Sequence, residues 1–431
     1  METNWDIIVA GGGTSGAAAA ISAARSGCKV LVIEKNTFLG GTATGSLVTP
    51  MMNNKLQIGE YLTKGLPLEV LKRLQETGDS ATFKKENPGW FNPEMMKCVL
   101  DDFCEESGVE VLFDTVVLGA EVENKNITKI KCHNKGGEIE FSAKYFIDAT
   151  GDADLAAYAG VPFESEEHQT MSLRFVMTNV DLDEFARWMS EIDADFASTS
   201  IDYSNYEAML LTAAHTWDNH GWKLRPFFGL AVRDGILLPE DAAYFQFFSI
   251  PGQKNAVALN CPRISARKQL DPLNPEDLSY AYKQGRKQMR RLAKFCITYL
   301  AGFEEAYISQ IAPQLGVRDS RRIKGKYKLT EEDILRAKKF ENAVAKSNYP
   351  VDVHAREKGK NELIHLPPNQ YYEIPLESLT PENIDNLLVV GRCISTTFRA
   401  QASIRIMPNC WSMGEYAGKH LAEKVTSSAS I

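Results

Sequence analysis

The sequence predicts an α/β fold divided into two units, on three observations. An apolar strand near the amino terminus runs into a glycine-rich turn and an alanine-rich helix; a second apolar strand ending in an acid follows; and a strand with a terminal glycine, then a proline-opened helix, recurs near the carboxyl terminus. The chain has 431 residues, 44% hydrophobic and 24% charged, which suits a globular protein with two large domains or three small ones. A formal net charge of -8 argues against nucleic-acid partners, which need an excess of Lys and Arg on one face. No run approaches the roughly 20 apolar residues of a membrane span. Residues 1–5 are not basic and residues 6–10 are too short for an h-region, so no signal peptide is expected. Eight cysteines without a CxxC pair give no support for a disulfide framework, a metal site or a dithiol centre, and read as reduced thiols in a cytoplasmic protein.

Residues 6–10 (DIIVA) are the first buried strand and lead into Gly11-x-Gly13-x-x-Gly16. Gly11 permits the tight turn, Gly13 lets a pyrophosphate approach the backbone, and Gly16 lets the helix lie close on the strand. With Thr14 and Ser15 this turn opens the helix, whose amino terminus offers N–H groups and partial positive charge to phosphates. Gly27 ends the helix, residues 29–33 are the second strand, and Glu34 stands at its tip, about 20 residues beyond the fingerprint, where an acid accepts hydrogen bonds from ribose hydroxyls. The unit is Rossmann-like. Lys35 then opens a second glycine-bearing loop with Gly40, Gly41 and Thr42. Nicotinamide dehydrogenases do not need such a loop, whereas FAD proteins use it to carry the backbone along the ribityl chain and flavin.

Asn92-Pro93-Glu94 opens a helix that runs to about 106 and is terminated by Gly108. Residues 109–113 are a strand, and short runs over about 115–142, Val117 among them, suggest a small β-meander. Residues 144–148 form an apolar strand ending in Ala149, Thr150, Gly151 and Asp152, a segment that touches the pyrophosphate side of the cofactor in FAD proteins. Residues 385–390 are another buried strand, followed by Gly391 and Arg392, and Met407-Pro408-Asn409 opens a helix to about 424. The positive end of such a helix can stabilise charge at N1 and the C2 carbonyl of a reduced flavin.

With further blocks at 302–305, 315–325, 349–354, 374–379 and, most specifically, 402–414 (ASIRIMPNCWSMG), nearly the whole chain resembles the FAD-dependent oxidoreductase family, with a glutathione-reductase-like FAD fold related to fumarate-reductase flavoproteins. The resemblance implies noncovalent FAD and a discontinuous three-layer FAD-binding domain over 1–162 and 373–431. A mixed α+β substrate domain, 163–372, is inserted between them. The cofactor residues it implies are the glycine-turn and second-loop residues, Glu34, Lys35, Val117, the segment 149–152, Gly391, Arg392, Pro408 and Asn409. There is no second GxGxxG for NAD(P)H and no histidine over 38–49 for a histidyl-flavin bond, and Cys393 and Cys410 read as packed residues.

Within 163–372, residues 171–177, 244–250 and 256–261 read as strands, and 181–192 and 206–220 as helices. Asn274 caps a long helix whose other face carries Lys283, Arg286, Lys287, Arg290, Arg291 and Lys294, either a solvated face or a dock for an acidic partner. Thr330 begins a capping box. Flavin chemistry needs a proton acceptor and polar groups that orient substrate. His354 is the expected acid/base, with Arg318, Arg321 and Arg405 in the catalytic set and Asn260, Arg263 and Arg399 as further candidates. The expected reaction is hydride transfer between a small polar substrate, anionic or polyhydroxylated, and flavin N5, with an unidentified electron acceptor or donor and an open oligomeric state. The alternatives are a flavin monooxygenase of the aromatic-hydroxylase type and a flavin-carrying electron-transfer subunit.

Overall fold

Period-two burial explains the central sheet. In β1 (Asn4–Ala10), Ile7 and Val9 enter one core while Ile8 and Ala10 enter another, so the strand is covered on both faces. A computed structural model describes residues 3–52, 54–84, 86–192, 199–202, 210–216, 223–354 and 361–428. After β1 come α1 (Thr14–Arg25), β2 (Val30–Ile33), α2 (Leu66–Glu76), a hairpin of β3 (Ser80–Phe83) and β4 (Asn87–Phe91), α3 (Pro93–Ser107) and β5 (Glu110–Leu112). The Asn92 side chain accepts from Glu94 N–H, and Gly108 ends α3 in the left-handed region at φ 75°.

The meander is β6 (Val116–Glu123), β7 (Asn126–Asn134) and β8 (Gly137–Asp148). The sequence separates the meander from the strand at 144–148, but β8 is one continuous strand. Its first part pairs antiparallel with β7 and its second part parallel with β1, so the two features share a backbone. The sheet order is β5-β2-β1-β8-β7-β6. Helices α1 and α3 lie on one face and the meander on the other, which makes the three layers.

After α4 (Asp154–Tyr158) and β9 (Phe163–Glu164), a second sheet is built from β10 (Phe175–Thr178), β11 (Thr199–Asp202), β12 (Leu210–Thr216), β13 (Tyr244–Ile250), β14 (Gln253–Leu259) and β15 (Tyr307–Ile311), in the order β11-β12-β13-β14-β10-β15. Helices α5 (Leu182–Ile192), α6 (Arg225–Arg233) and α7 (Pro275–Tyr299) pack on it around Phe185, Phe228, Phe245, Phe247 and Phe295. Two expectations are corrected. The strand expected over 171–177 begins only at Phe175, because Ser172 is held by isolated bridges to Arg263 and Gly316. The helix expected over 206–220 is strand β12 at Leu210–Thr216, since antiparallel pairing with β13 claims its backbone and overrides alanine's helix preference. The rest of that span lies outside the described residues.

The chain returns through β16 (Arg322–Ile323), α8 (Glu331–Leu335) with the expected reciprocal Thr330/Asp333 cap, β17 (Ala343–Ser347), β18 (Val351–Val353), β19 (Glu362–Ile364), β20 (Tyr372–Pro375), β21 (Leu387–Val389), α9 (Phe398–Ile404) and α10 (Met407–Ser428). β21 joins the first sheet parallel to β8. Leu329, Val344, Val351, Tyr372 and Ile374 share the core of β1 and α1, so packing draws this stretch toward the first unit rather than toward the inserted one. No helix among the described residues is long and apolar enough to cross a membrane.

Helix α10 lies against α1 at backbone distance. A Cβ built on Gly414 would stand 2.1 Å from the Ser15 carbonyl oxygen, and one on Gly418 would stand 2.2 Å from that of Ala19. Neither neighbour is a movable side-chain end, so the helices must separate to admit a methyl group. Gly414→Ala and Gly418→Ala are each expected to lower the unfolding free energy by about 1–3 kcal/mol, read as a lower urea midpoint; unchanged midpoints in both would contradict this packing.

Candidate functional site

A cavity of about 750 Å³ begins at the carboxyl ends of β1, β2 and β8 and reaches the second sheet. Its first end is made by the glycine turn. Gly11 adopts φ 96°, and a Cβ there would meet the Ala149 carbonyl oxygen at 2.6 Å. A Cβ on Gly13 would meet nothing closer than 3.9 Å, so this position opens to the cavity. Gly13 is also the N-cap of α1 and provides no side-chain cap, which leaves first-turn N–H groups available to an anion. The expected residues Gly11, Gly13, Thr14, Ser15, Glu34, Lys35, Gly41 and Thr42 all line this end, as do Val117, the four residues from 149 to 152, Gly391 and Arg392.

Glu34 is buried and turned onto the turn. Its Oε2 accepts from Gly12 N–H at 2.6 Å, and its Oε1 accepts from Asn36 N–H at 2.8 Å and from the Asn36 side-chain amide. Arg392 ties three segments together, donating to Gly151 O at 2.9 Å, Val317 O at 2.6 Å and Asp152 Oδ1 at 2.7 Å. Burial opposes ionisation of Asp152, but Arg392 and Lys35 outweigh it and hold the carboxyl below its ordinary range. Behind this wall, burial pushes Asp148 up to about 6, although Ala156 and Thr150 donate to it. The backbone cradle, uncapped helix end and buried acid at the β2 tip fit the adenosine diphosphate part of a dinucleotide.

Four expected cofactor positions do not line the cavity. Gly16 serves packing, because a Cβ would stand 1.8 Å from Gly11 O; Gly40 shapes its loop at φ 96° and donates to Gly12 O at 2.8 Å. Pro408 and Asn409 are buried within α10, whereas Ile406, Met407 and Cys410 reach the cavity. Among the expected catalytic residues, Arg321 also turns away, because Asp154 Oδ1 at 2.7 Å and Asp152 O at 2.9 Å hold it. Arg399 is paired with Glu362 at 2.6 Å and lies outside the lining.

The far end gathers charge. Arg174, Arg318 and Arg405 line it with Tyr244, Gln246, Asn260, Tyr349, Asp352 and His354. Arg174 donates to Leu47 O at 3.1 Å, Arg318 donates to Thr170 O, and Arg405 donates to Asp352 O at 3.1 Å. Burial brings Arg318 down to about 9, reinforced by Arg405, Arg263 and Arg174, and burial brings Arg174 down to about 10. Among the described residues Asp352 is the carboxylate lining this end, and it is already shared by His354, Tyr349 and Arg405.

His354 has both ring nitrogens engaged. Nε2 meets Asp352 Oδ2 at 3.1 Å and Nδ1 meets the Arg263 guanidinium at 2.8 Å. A guanidinium only donates and a carboxylate only accepts, so the neutral Nε2–H tautomer satisfies both. Burial, then Arg318, lower the ring to about 3 against the pull of Asp352. The geometry therefore makes His354 a structural link, with no ring atom left to take a substrate proton. Asn36, Arg174, Tyr244, Gln246, Tyr349 and Asp352 line the cavity without having been singled out from sequence. The alternation of polar and core-facing residues in β13 was a signal for Tyr244 and Gln246, and Tyr349 and Asp352 fall within the block 349–354; Asn36 and Arg174 had none.

A family model described as FAD dependent oxidoreductase matches residues 6–430. Digeranylgeranylglycerophospholipid reductase 1 of Methanococcoides burtonii is 22% identical over 193 residues, 43% of this chain and 47% of that protein. Dihydrolipoamide dehydrogenase of Chaetomium thermophilum is 27% identical over 170 residues, 38% of this chain and 32% of that protein. The chain thus spans about half the length, or less, of these curated relatives. The solved structure of a geranylgeranyl bacteriochlorophyll reductase-like protein from Thermoplasma acidophilum is 15% identical with a TM-score of 0.47, covering 99% of this chain and 80% of that one. A flavin-dependent brominase is 14% identical with a TM-score of 0.49, covering 98% and 80%.

A depressed His354 means that the unfolded chain binds more protons than the folded one between its ordinary value of 6.5 and about 3. Stability from this group is full above 6.5 and is lost as pH falls through that window. Asp148, raised to about 6, works in the opposite direction over part of this window, so the expected result is the difference between variants. Going from pH 7 to pH 4.5, the urea midpoint should change less favourably in the parent chain than in His354→Gln; nitrogen NMR should report a neutral Nε2–H ring at pH 5. A ring that protonates near 6.5 would refute the assignment.

Proposed function

The chain belongs to the FAD-dependent oxidoreductase family, and from that premise we propose that it transfers a hydride between a small anionic substrate and N5 of noncovalently held FAD. The carrying observation is the group of guanidiniums, buried Arg174 and half-buried Arg318 and Arg405, at the far end of the cavity. Their mutual repulsion and desolvation are relieved by an anion more than by a polyol. When bound, FAD supplies the two-electron acceptor or donor. The α1 amino terminus and Gly13 hold its pyrophosphate, Glu34 its ribose, and Gly41, Thr42 and Arg392 the connecting wall. Arg405 immediately precedes Ile406, Met407 and α10, so the same segment that closes the flavin end also orients the substrate anion.

Noncovalent attachment is supported by the thiols. Cys410, at the cavity wall, donates to Arg405 O at 3.5 Å, and burial pushes it up to about 11, leaving little thiolate; Cys393 is fully buried. All eight cysteines are free, which suits a reducing, cytoplasmic location. Reoxidation falls to an acceptor outside the chain.

Purified protein should carry FAD that acid precipitation releases into the supernatant. Glu34→Ala should weaken FAD retention about tenfold, the worth of a charged hydrogen bond; unchanged retention would remove the ribose contact, and flavin left in the pellet would refute noncovalent binding. In anaerobic titrations, organic acids should bleach the flavin where neutral polyols do not. Bleaching by polyols alone would overturn the anion reading, and NAD(P)H oxidation that requires substrate and oxygen would select a monooxygenase instead.

A further inference from the structure

Strand β13 exposes Tyr244, Gln246 and Phe248 to the cavity at alternate positions and buries Phe245 and Phe247 behind them. This face runs from polar to apolar. At one end the Arg263 guanidinium stands 4.1 Å from the Tyr244 ring centroid, and Asn260 Nδ2 donates to Tyr244 Oη at 3.1 Å and Gln246 Oε1 at 2.7 Å. At the other, Trp90 meets Phe248 edge to face at 5.6 Å, and Phe83 stacks on Trp90 at 4.7 Å. All three rings line the same cavity as the guanidiniums. Tyr244 and Phe248 lie four positions, about 13 Å, apart along the strand backbone.

Building on the hydride-transfer reading, we propose that the substrate is an amphipathic carboxylate with its anionic group at Arg174, Arg318 and Arg405 and a flat apolar group against Phe248, Trp90 and Phe83. Two observations converge on the anionic end. The Nε atoms of Arg174 and Arg405 are buried without a hydrogen-bond partner, and nothing at this end balances the guanidiniums beyond the shared Asp352 among the described residues. At the other end, Phe83 and Phe248 are only half-buried although their neighbours are packed, so ring surface is left for a ligand. An acid of acetate size would leave this wall uncovered, and an uncharged aryl compound would leave the guanidiniums uncompensated.

The test is a titration of the FAD-loaded protein, followed by flavin absorbance, with phenylacetate, acetate, 2-phenylethanol and glucuronate. Phenylacetate should bind at least about tenfold tighter than acetate, from burial of the ring, and tighter than 2-phenylethanol by a similar factor. Trp90→Leu and Phe248→Leu should bring phenylacetate close to acetate while leaving acetate unchanged. Arg318→Met should abolish the preference over 2-phenylethanol, and Arg318→Lys should restore part of it; retained flavin absorbance certifies that each variant is folded. Equal binding of acetate and phenylacetate, or glucuronate as tight as phenylacetate, would overturn the aromatic subsite. Tight 2-phenylethanol would overturn the anionic one. Either result leaves hydride transfer standing, whereas a protein without FAD sinks that reading first.

Discussion

Contact between the backbones of α1 and α10 is the constraint on which the rest of the molecule depends. Gly414 and Gly418 let α10 settle on Ser15 and Ala19, and Gly391 brings the end of β21 beside the Ser15 hydroxyl. The turn that would hold a dinucleotide is therefore built jointly by residues about 400 positions apart. Gly16, next to Ser15 in the first turn of α1, has the matching role toward Gly11. Dispersion between close backbones is lost steeply with separation, so glycines at these points couple the packing of both chain ends to the shape of the cavity mouth.

From that seat, α10 and the two residues before it bring Arg405, Met407 and Cys410 to the cavity wall. Arg318 of the cluster is held from behind. Asp319 accepts from Gln169 N–H at 2.8 Å and meets His168 at 2.9 Å, and Gln169 bonds Gln401, whose amide donates to Arg318 O at 2.7 Å. Gln169 also accepts from His354 N–H at 3.2 Å. These bonds fix the backbone of Arg318 and His354, so the charges at the far end are positioned before any ligand arrives. His354 has both ring nitrogens engaged, by Asp352 and by Arg263, while the Nε atoms of Arg174 and Arg405 are buried without a hydrogen-bond partner.

The first half of the site was readable because its physics is local. A glycine turn, a helix amino terminus and an acid at a strand tip need only contiguous residues, and Gly11, Gly13 and Glu34 stand where that pattern puts them. The far half was only partly readable. Arg318, Arg405 and His354 reach the cavity, but Arg321 is captured by Asp154, and a sequence carries no sign of which arginine will find a carboxylate. Arg174 sits in a stretch where the strand was placed four residues early, and its role comes from long-range bridges at Ser172.

The residues alone determined the α/β class, the parallel strands, the capped helices α3, α7 and α8, and the family, because each rests on periodicity, capping or motif spacing along the chain. Tertiary structure decided that 210–216 is a strand, that β8 serves two sheet partners, and that His354 has no free ring nitrogen. It also decided that an aromatic wall and a guanidinium cluster face one cavity. Those outcomes depend on which distant groups compete for the same backbone bond or charge, and that competition is settled only when the chain has folded.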